Sequence, residues 1–265
     1  MTYNKTLKWL CNTAIATMLA STPFLHSCVN APAGSNPITI DSLTYTSGCE
    51  GNEPKRCLNI CFEYPTTKGE TSRQFCLDVL NDYLRFVEIE DKQCANLDEF
   101  KTLLHNYSRS VDSSYIYPDD ADIIPEWFIK VKTEVMHSDN RVVTLKYSYS
   151  DYRGGAHGSY YYHYLNLDAK TLRPLALTDL VCDVPQLTHI AEQHLIAKAK
   201  DLELQYPDDF MFENGFALPN EIGAGSNGLV LHYNIYEVAP YALGDIELHI
   251  NYSELTSILS DKLER

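Results

Sequence analysis

The residues best suited to chemistry lie in one stretch, YSDYRGGAHGSYYYHY, at residues 149–164. His157 follows two glycines, with Asp151 and Arg153 shortly before it and His163 beyond the bend. A histidine beside a carboxylate can act as a general base, but only with a nucleophile or water in hydrogen-bond reach and a group to orient it. Nearness in sequence across a glycine turn establishes neither condition.

The glycines of this stretch offer a structural explanation for it. Gly154, Gly155 and Gly158 permit positive φ angles or a close backbone approach, and His157 would then brace the bend through hydrogen bonds. We favour this interpretation, and we therefore predict no catalytic residue.

Other chemical groups lack their partners in the sequence. No GxSxG motif surrounds Ser159, and Glu237 has no paired carboxylate at a spacing suited to glycoside hydrolysis. His189 and His194 are five residues apart on a predicted helix, so they diverge by about 140° and cannot share a metal ion. We expect no enzyme activity, metal or cofactor; the alternative is an enzyme that acts through the GGAHG bend.

The tyrosines after the bend suit binding better than catalysis. Tyr160, Tyr162 and Tyr164 are spaced for one face of a strand, and the residues between them belong to the other face. One face must join the core, while the other either presents its rings to a partner or is covered by helices. Tyrosine combines a large contact area with a polar tip, which suits both protein interfaces and sugar stacking.

A second edge completes the candidate site. In YEVAPY, Pro240 fixes the backbone of a loop at the end of a strand and so displays Tyr241. The predicted partner is a protein or a cell-wall glycan. The predicted binding residues are Tyr152, His157, Tyr160, Tyr162, Tyr164, Pro240 and Tyr241.

The elements that position these residues follow from periodicity and turn signals. An α+β fold is predicted, with antiparallel sheets, helices packed on one face and two subdomains at residues 37–120 and 121–265. The predicted strands are TIDSLTYTS, RCLNICFEY, the segment around Val143 to Tyr149, YYYHYLNLD, LVLHYNIYEV and DIELHINY. The predicted helices run from Thr71 to Val87, from Asn96, and from Asp183 with Pro185.

The N-terminus predicts export. Residues 1–27 combine Lys5 and Lys8 with a short apolar run, as in a signal peptide, and LHSC then resembles a lipobox. Cys28 would become the lipid-modified first residue, on a flexible tether at residues 28–36. The alternatives are an ordinary signal peptide cleaved nearby or a short membrane anchor. We expect membrane contact only through the lipid on Cys28, at the periplasmic face of an outer membrane.

Charge and cysteine content indicate which partners and which cellular compartment to expect. The net charge of −15 repels nucleic acid, which is therefore not an expected partner. An even set of cysteines in an exported chain predicts disulfides of open connectivity, with a zinc site at Cys57 and Cys61 as the alternative. The disulfide candidates are Cys49, Cys57, Cys61, Cys76, Cys94 and Cys182.

Two blocks of sequence resemble a known family. They are YSYSDYRGGAHGSYYYHYLNLDAKTLRPLALTDLV and FALPNEIGAGSNGLVLHYNIYEVAPYALGDIELHINYSEL. Both resemble the extracytoplasmic domain shared by RsiV-type anti-sigma factors and PdaC-type peptidoglycan deacetylases, over residues 125–260. Residues 37–118 resemble more loosely the smaller domain that precedes it in those proteins.

The resemblance implies a function in binding. In that family the anti-sigma members bind lysozyme directly, and the deacetylase members carry a separate catalytic domain. This sequence shows neither a sigma-binding segment with a spanning helix nor the metal-binding aspartate and HxxxH motifs of the deacetylase domain. We therefore expect a lipid-anchored envelope protein that binds a lysozyme-like glycosidase or peptidoglycan fragments. The alternative is a peptidoglycan-modifying enzyme or accessory domain that acts through the GGAHG bend.

Overall fold

The computed structural model describes residues 38–47, 58–67, 70–87, 89, 92–112 and 126–264. The predicted signal peptide, the lipidation site Cys28 and the tether lie outside the described residues, as do Cys49 and Cys57. Within the described ranges, no helix is both long and apolar enough to cross a membrane.

A five-stranded sheet with two helices forms the first part of the fold. The sheet has the order β1-β2-β3-β4-β5. Its strands are β1 (Thr39–Ser47), β2 (Leu58–Thr66), β3 (Trp127–Ser138), β4 (Val142–Tyr152) and β5 (Ser159–Asp168), and its helices are α1 (Glu70–Phe86) and α2 (Leu97–Asp112).

The large sheet is mixed, whereas the sequence predicted antiparallel sheets. Strands β2 and β3 run parallel, with Leu58 opposite Trp127, and the other neighbours are antiparallel. A parallel pair requires a long crossover, which here includes α1 and α2. The prediction of an α+β fold is confirmed.

Alternation along β2 places its core side chains under the helices. Leu58, Ile60 and Phe62 are buried, and their neighbours along the strand are more exposed. The Phe62 ring lies 5.4 Å from Tyr83 of α1 and 5.8 Å from Phe100 of α2. One face of the sheet therefore forms the first core with both helices.

A three-stranded antiparallel sheet forms the second part. The longest helix of this part, Val184–Asp201, is capped by Asp183, which accepts a hydrogen bond from Gln186 N at 2.9 Å. Pro185 occupies the first turn of that helix. The strands are β6 (Glu221–Ala224), β7 (Gly228–Tyr233) and β8 (Ile246–Asn251), with helices α3 (Leu177–Leu180), α4 (Val184–Asp201) and α5 (Tyr252–Leu255).

The described residues form two hydrophobic cores. The first core draws on residues from 58 to 172, and the second on Val142 and residues from 180 to 263. Because β2 pairs directly with β3, one sheet contains strands from both sides of residue 120.

The four described cysteines are free thiols: Cys61, Cys76, Cys94 and Cys182. No two of these four described cysteines are joined in a disulfide. The Cys76 thiol instead donates to the carbonyl oxygen of Pro65 at 3.3 Å. A pairing of Cys49 with Cys57 lies outside the described residues.

Candidate functional site

The GGAHG bend joins β4 to β5 as a hairpin in which Asp151 pairs with Ser159. Gly154 and Gly155 have φ angles of 97° and 90°, a region that glycine adopts without the penalty of a Cβ atom. A Cβ atom on Gly158 would lie 2.4 Å from the carbonyl oxygen of Asp151. The three glycines therefore serve the backbone of the bend.

His157 braces this bend against a distant loop. Its Nδ1 lies 2.8 Å from the carbonyl oxygen of Gly158, and its ring stacks on Tyr241 with centroids 4.1 Å apart. The Tyr241 hydroxyl donates to the same carbonyl oxygen at 3.2 Å. The bend and the loop that carries Tyr241 are thus held together by two aromatic side chains.

The carboxylate closest to His157 in sequence has a different partner. Arg153 Nε donates to Asp151 Oδ2 at 2.7 Å, and its Nη1 donates to the Tyr107 hydroxyl at 3.1 Å. Among the described residues, no carboxylate is paired with His157, so the group that would orient a general base is missing. Across the same ranges, no three His, Cys, Asp or Glu side chains are placed to hold a metal ion.

Five rings form the structure that we call the aromatic patch. The rings of Tyr160 and Tyr241 lie 6.2 Å apart, those of Tyr160 and Tyr162 lie 6.3 Å apart, and Tyr236 lies 5.7 Å from Tyr241. Tyr236 is 57% exposed. The patch comprises His157, Tyr160, Tyr162, Tyr236 and Tyr241.

The loop after β7 holds the exposed end of the patch. Tyr236 has a φ angle of 65°, which is uncommon for a bulky residue. Glu237 stabilises the turn by accepting a hydrogen bond from Asn234 N at 2.8 Å. Pro240, which is exposed, then precedes a 3-10 turn at Tyr241–Leu243. The predicted strand LVLHYNIYEV therefore ends at Tyr233, because the chain turns at Asn234.

The buried end of the tyrosine face contains a charged cluster. The Tyr164 hydroxyl donates to Glu247 Oε2 at 3.0 Å, and His232, which is 1% exposed, donates to the same oxygen at 3.2 Å. Lys146 Nζ lies 3.5 Å from that oxygen and 4.7 Å above the Tyr162 ring. The hydrogen bond from His232, with the Lys146 charge, holds the pKa of Glu247 well below its usual value.

A second carboxylate, Asp245, lies between this cluster and the patch. Its Oδ2 is 3.3 Å from His232 Nε2, without the alignment of a hydrogen bond. Burial, with the charge and hydrogen bond of Asp245, raises the pKa of the Tyr160 hydroxyl. The patch therefore combines ring faces with negative charge.

Two families match consecutive regions of this chain. Residues 51–160 match the family described as deacetylase PdaC, and residues 180–253 match a protein family of unknown function, DUF3298. The chain is thus similar to a PdaC-type region followed by a DUF3298 region. This confirms the resemblance drawn from the sequence. No curated protein matches the chain.

Two solved structures share this fold. A DUF3298 family member from Bacteroides fragilis is 22% identical, with a TM-score of 0.66, and the match covers 86% of this chain and 96% of that one. A DUF3298 family protein from Pseudomonas aeruginosa is 18% identical, with a TM-score of 0.60, covering 87% and 98%. At these identities the likeness establishes the fold alone.

The aromatic patch is built from both matched regions. His157 and Tyr160 lie at the end of the PdaC-type region, and Tyr236 and Tyr241 lie in the DUF3298 region. Tyr162 follows in the short segment between them. Neither matched region alone supplies the whole patch.

Side chains join the three-stranded sheet to the edge of β5. Asn234 Oδ1 accepts from Tyr162 N at 2.7 Å, and its Nδ2 donates to Tyr162 O at 2.9 Å. Glu221 accepts from Tyr164 N at 2.8 Å. A Cβ atom on Gly223 would lie 2.4 Å from the Tyr164 ring, so the small sheet packs closely there. The edge of β5 is thus covered as far as Tyr162, and the patch begins at that point.

The structure groups most of the predicted binding residues. His157, Tyr160, Tyr162 and Tyr241 share the patch, Pro240 adjoins it, and Tyr164 forms its buried end. Tyr152 is separate: its hydroxyl donates to the carbonyl oxygen of Gly155 at 3.1 Å, and its ring packs on the first core. Sequence reasoning missed Tyr236, because a bulky residue at positive φ carries no pattern that marks it for display.

Proposed function

We propose that this protein is an envelope binding protein whose aromatic patch holds a cationic protein of the lysozyme type. The observation that carries the proposal is the partly exposed ring cluster around Tyr241, with the Asp245 carboxylate beside Tyr160. Tyrosine is enriched among the residues that dominate binding energy at protein interfaces. Lysozyme binding by anti-sigma relatives of the resembled family points the same way.

Charge supports a basic partner over an acidic one. The chain carries a net charge of −15, and Asp245 and Glu247 add negative charge near the rings. Opposite charge accelerates encounter and selects partners, and both effects weaken as salt screens the surface. Binding is therefore expected to be tightest at low ionic strength.

The test is calorimetric titration of a cationic lysozyme into the whole protein at low and moderate salt. Tyr241→Ala is expected to weaken binding by about 10- to 100-fold, because it removes the central ring of the patch. The matched control is Tyr45→Ala, since Tyr45 also meets a histidine, His105, with ring centroids 5.6 Å apart but on the far edge of the large sheet. No binding at low salt, or equal loss in both variants, would contradict the proposal.

A peptidoglycan fragment is the second candidate ligand. The stacked pair of His157 and Tyr241 provides a flat ring surface, and sugars bind well to aromatic faces beside carboxylates. Titration with soluble peptidoglycan fragments, using the same two variants, separates this ligand from a protein partner. Binding of fragments but not of lysozyme would assign the patch to glycan.

The enzymatic alternative has its own experiment. His157→Ala is assayed for release or deacetylation of peptidoglycan fragments beside the unmodified protein. Because His157 lacks a carboxylate partner among the described residues, we expect no turnover in either protein. Turnover that depends on His157 would replace the binding proposal.

The envelope location is part of the proposal. A lipid on Cys28 would hold the binding domains at a membrane surface, where wall fragments and invading glycosidases are encountered. Cys28→Ala is expected to move the protein from the membrane fraction to the soluble fraction. Retention of the variant in the membrane fraction would contradict lipid anchoring through Cys28.

A further inference from the structure

His232 lies on β7 behind the aromatic patch, with a carboxylate at each of its two ring nitrogens. Its Nδ1 is 3.2 Å from Glu247 Oε2, and its Nε2 is 3.3 Å from Asp245 Oδ2. The His232 side chain is 1% exposed, whereas those of Asp245 and Glu247 are 29% and 30% exposed. The imidazole is therefore shielded from solvent, and both carboxylates reach it from a partly open side.

A neutral imidazole cannot satisfy both carboxylates. It carries one N–H group, so one nitrogen donates and the other has only a lone pair. With Nδ1 donating to Glu247, the Nε2 lone pair of His232 faces an Asp245 oxygen, and two acceptors repel each other. The other tautomer moves the same conflict to Glu247. Among the described residues, Nε2 indeed has no hydrogen-bond partner.

Protonation of His232 removes this conflict. An imidazolium donates from both nitrogens, so it bonds to Glu247 and, after a small rotation of the carboxylate, to Asp245 as well. Imidazole is the side chain whose charge ordinarily changes between about pH 5 and 8. Glu247 stays charged throughout this range, because its pKa is held well below its usual value. Proton uptake by the ring is therefore the event that draws Asp245 toward it.

The other titratable groups packed around this cluster already have partners. They are Lys146 on β4, Tyr162 and Tyr164 on β5, Glu221 on β6 and His249 on β8. Lys146, Tyr164 and His249 contact the Glu247 carboxylate at 3.5, 3.0 and 2.7 Å, and Lys146 also lies over the Tyr162 ring. Glu221 accepts from Tyr164 N at 2.8 Å. Asp245 is thus the group placed to accept from Nε2.

Asp245 connects His232 to the aromatic patch. It follows Gly244, whose φ angle is 74° and which ends the 3-10 turn beside the patch. A Cβ atom on Gly244 would lie 3.4 Å from the Tyr160 hydroxyl, so that hydroxyl sits against the segment that carries Asp245. The Tyr162 ring also meets the His232 ring edge to face, with centroids 4.6 Å apart. Two rings of the patch therefore adjoin the imidazole and its carboxylate.

We propose that His232 is a proton switch that controls the negative charge presented at the aromatic patch. When the ring is neutral, Asp245 stays beside Tyr160 and its charge attracts a cationic partner. When the ring takes up a proton, Asp245 pairs with Nε2 and the new positive charge offsets its own. Acid therefore weakens the binding of a cationic partner. This consequence rests on the proposed function, whereas the switch is a property of the free protein.

The switch is tested first in the free protein, by NMR of labelled histidine nitrogens and tyrosine rings from about pH 8 to pH 5. We expect His232 Nε2 to gain its proton in this range and the Tyr160 ring signals to shift with it. In Asp245→Asn the Tyr160 signals should no longer follow. The same titration of His157→Gln removes the contribution of the histidine within the patch.

Two results in the free protein would overturn the proposal. One is a His232 ring that keeps a single protonation state across the whole range. The other is a Tyr160 signal that shifts equally in the unmodified protein and in Asp245→Asn, because the carboxylate would then not carry the change.

Calorimetric titration of a cationic lysozyme at both ends of the pH range, at low salt, tests the consequence for binding. Affinity should fall about threefold in acid, the size that Coulomb's law gives for one added charge about 8 Å away in a mostly aqueous medium. Asp245→Asn should lose this pH dependence. His249→Gln is the matched control and should keep it, since His249 is 69% exposed and contacts the other oxygen of Glu247.

The two measurements distinguish the switch from the proposed function. Coupled NMR changes without lysozyme binding at either pH support the switch and contradict lysozyme as the partner. Lysozyme binding with the same pH dependence in Asp245→Asn as in the unmodified protein overturns the switch and leaves the proposed function in place.

Discussion

The two faces of β5 carry the same kind of residue and meet different surroundings. On one face, Tyr161 stacks on Tyr149 at 4.6 Å and packs against the first core. On the other face, burial decreases from Tyr164, which is 5% exposed, to Tyr160 at the bend. Tyr236 then extends that face into solvent.

The difference shows that the elements packed on each face of the sheet, and not the residue type, decide what each tyrosine does. Helices α1 and α2 cover one face of the large sheet, whereas the small sheet covers the other only as far as Tyr162. Rings under a complete cover stabilise the fold. Rings beyond the edge of a cover remain available to a partner.

The largest expected effect tests the buried end of the patch face. Tyr164→Ala should lower the free energy of unfolding by about 3–5 kcal/mol, because it removes a buried ring and a partner of Glu247. Tyr160→Ala should cost less than about 1 kcal/mol, since that ring is partly exposed. Urea denaturation of both variants measures how the stabilising contribution of the tyrosines decreases from Tyr164 to Tyr160. Equal losses of stability would contradict this decrease.

A smaller effect tests how the small sheet is held against the edge of β5. Asn234→Ala should cost about 1–3 kcal/mol, because both bonds to the Tyr162 backbone are lost from a partly buried edge. Asn220→Ala is the control, since Asn220 is exposed and its side chain donates to Glu237 in the loop after β7. Similar unfolding midpoints for the two variants would mean that the edge of β5 does not depend on Asn234.

The acid dependence of stability tests the charged cluster. The folded-state pKa of Glu247 is depressed, so its stabilising contribution is complete above the ordinary glutamate pKa of 4.5 and is lost as the pH falls below that value. Glu247→Gln should remove about 1 kcal/mol at pH 7 and flatten the decline in acid. If the stability of this variant falls in acid as much as that of the unmodified protein, Glu247 does not contribute to the pH dependence.

The sequence predicted local features well and their assembly less well. The alternation in YYYHYLNLD correctly divided β5 into two faces, and the glycines correctly marked the bend, because both depend on backbone geometry. Asp183 and Pro185 marked the start of α4 for the same reason.

Long-range contacts escaped prediction. The parallel pairing of β2 with β3 depends on how α1 and α2 pack, which no local pattern records. The stacking of His157 on Tyr241 joins residues 84 positions apart, and the pairing of Asp151 with Arg153 removed the partner that a general base would need. The site could be listed from residue types, but its geometry came from tertiary packing.

One pair of neighbouring substitutions tests the central claim most directly. Tyr160 and Tyr161 are adjacent in β5 and point to opposite faces, so affinity for a cationic lysozyme and free energy of unfolding are measured for Tyr160→Ala and Tyr161→Ala at low salt. We predict that Tyr160→Ala loses about tenfold or more in affinity with little loss of stability, and that Tyr161→Ala loses about 2–4 kcal/mol of stability while its folded fraction binds normally. The reverse pattern, or equal losses in both variants, would contradict the account.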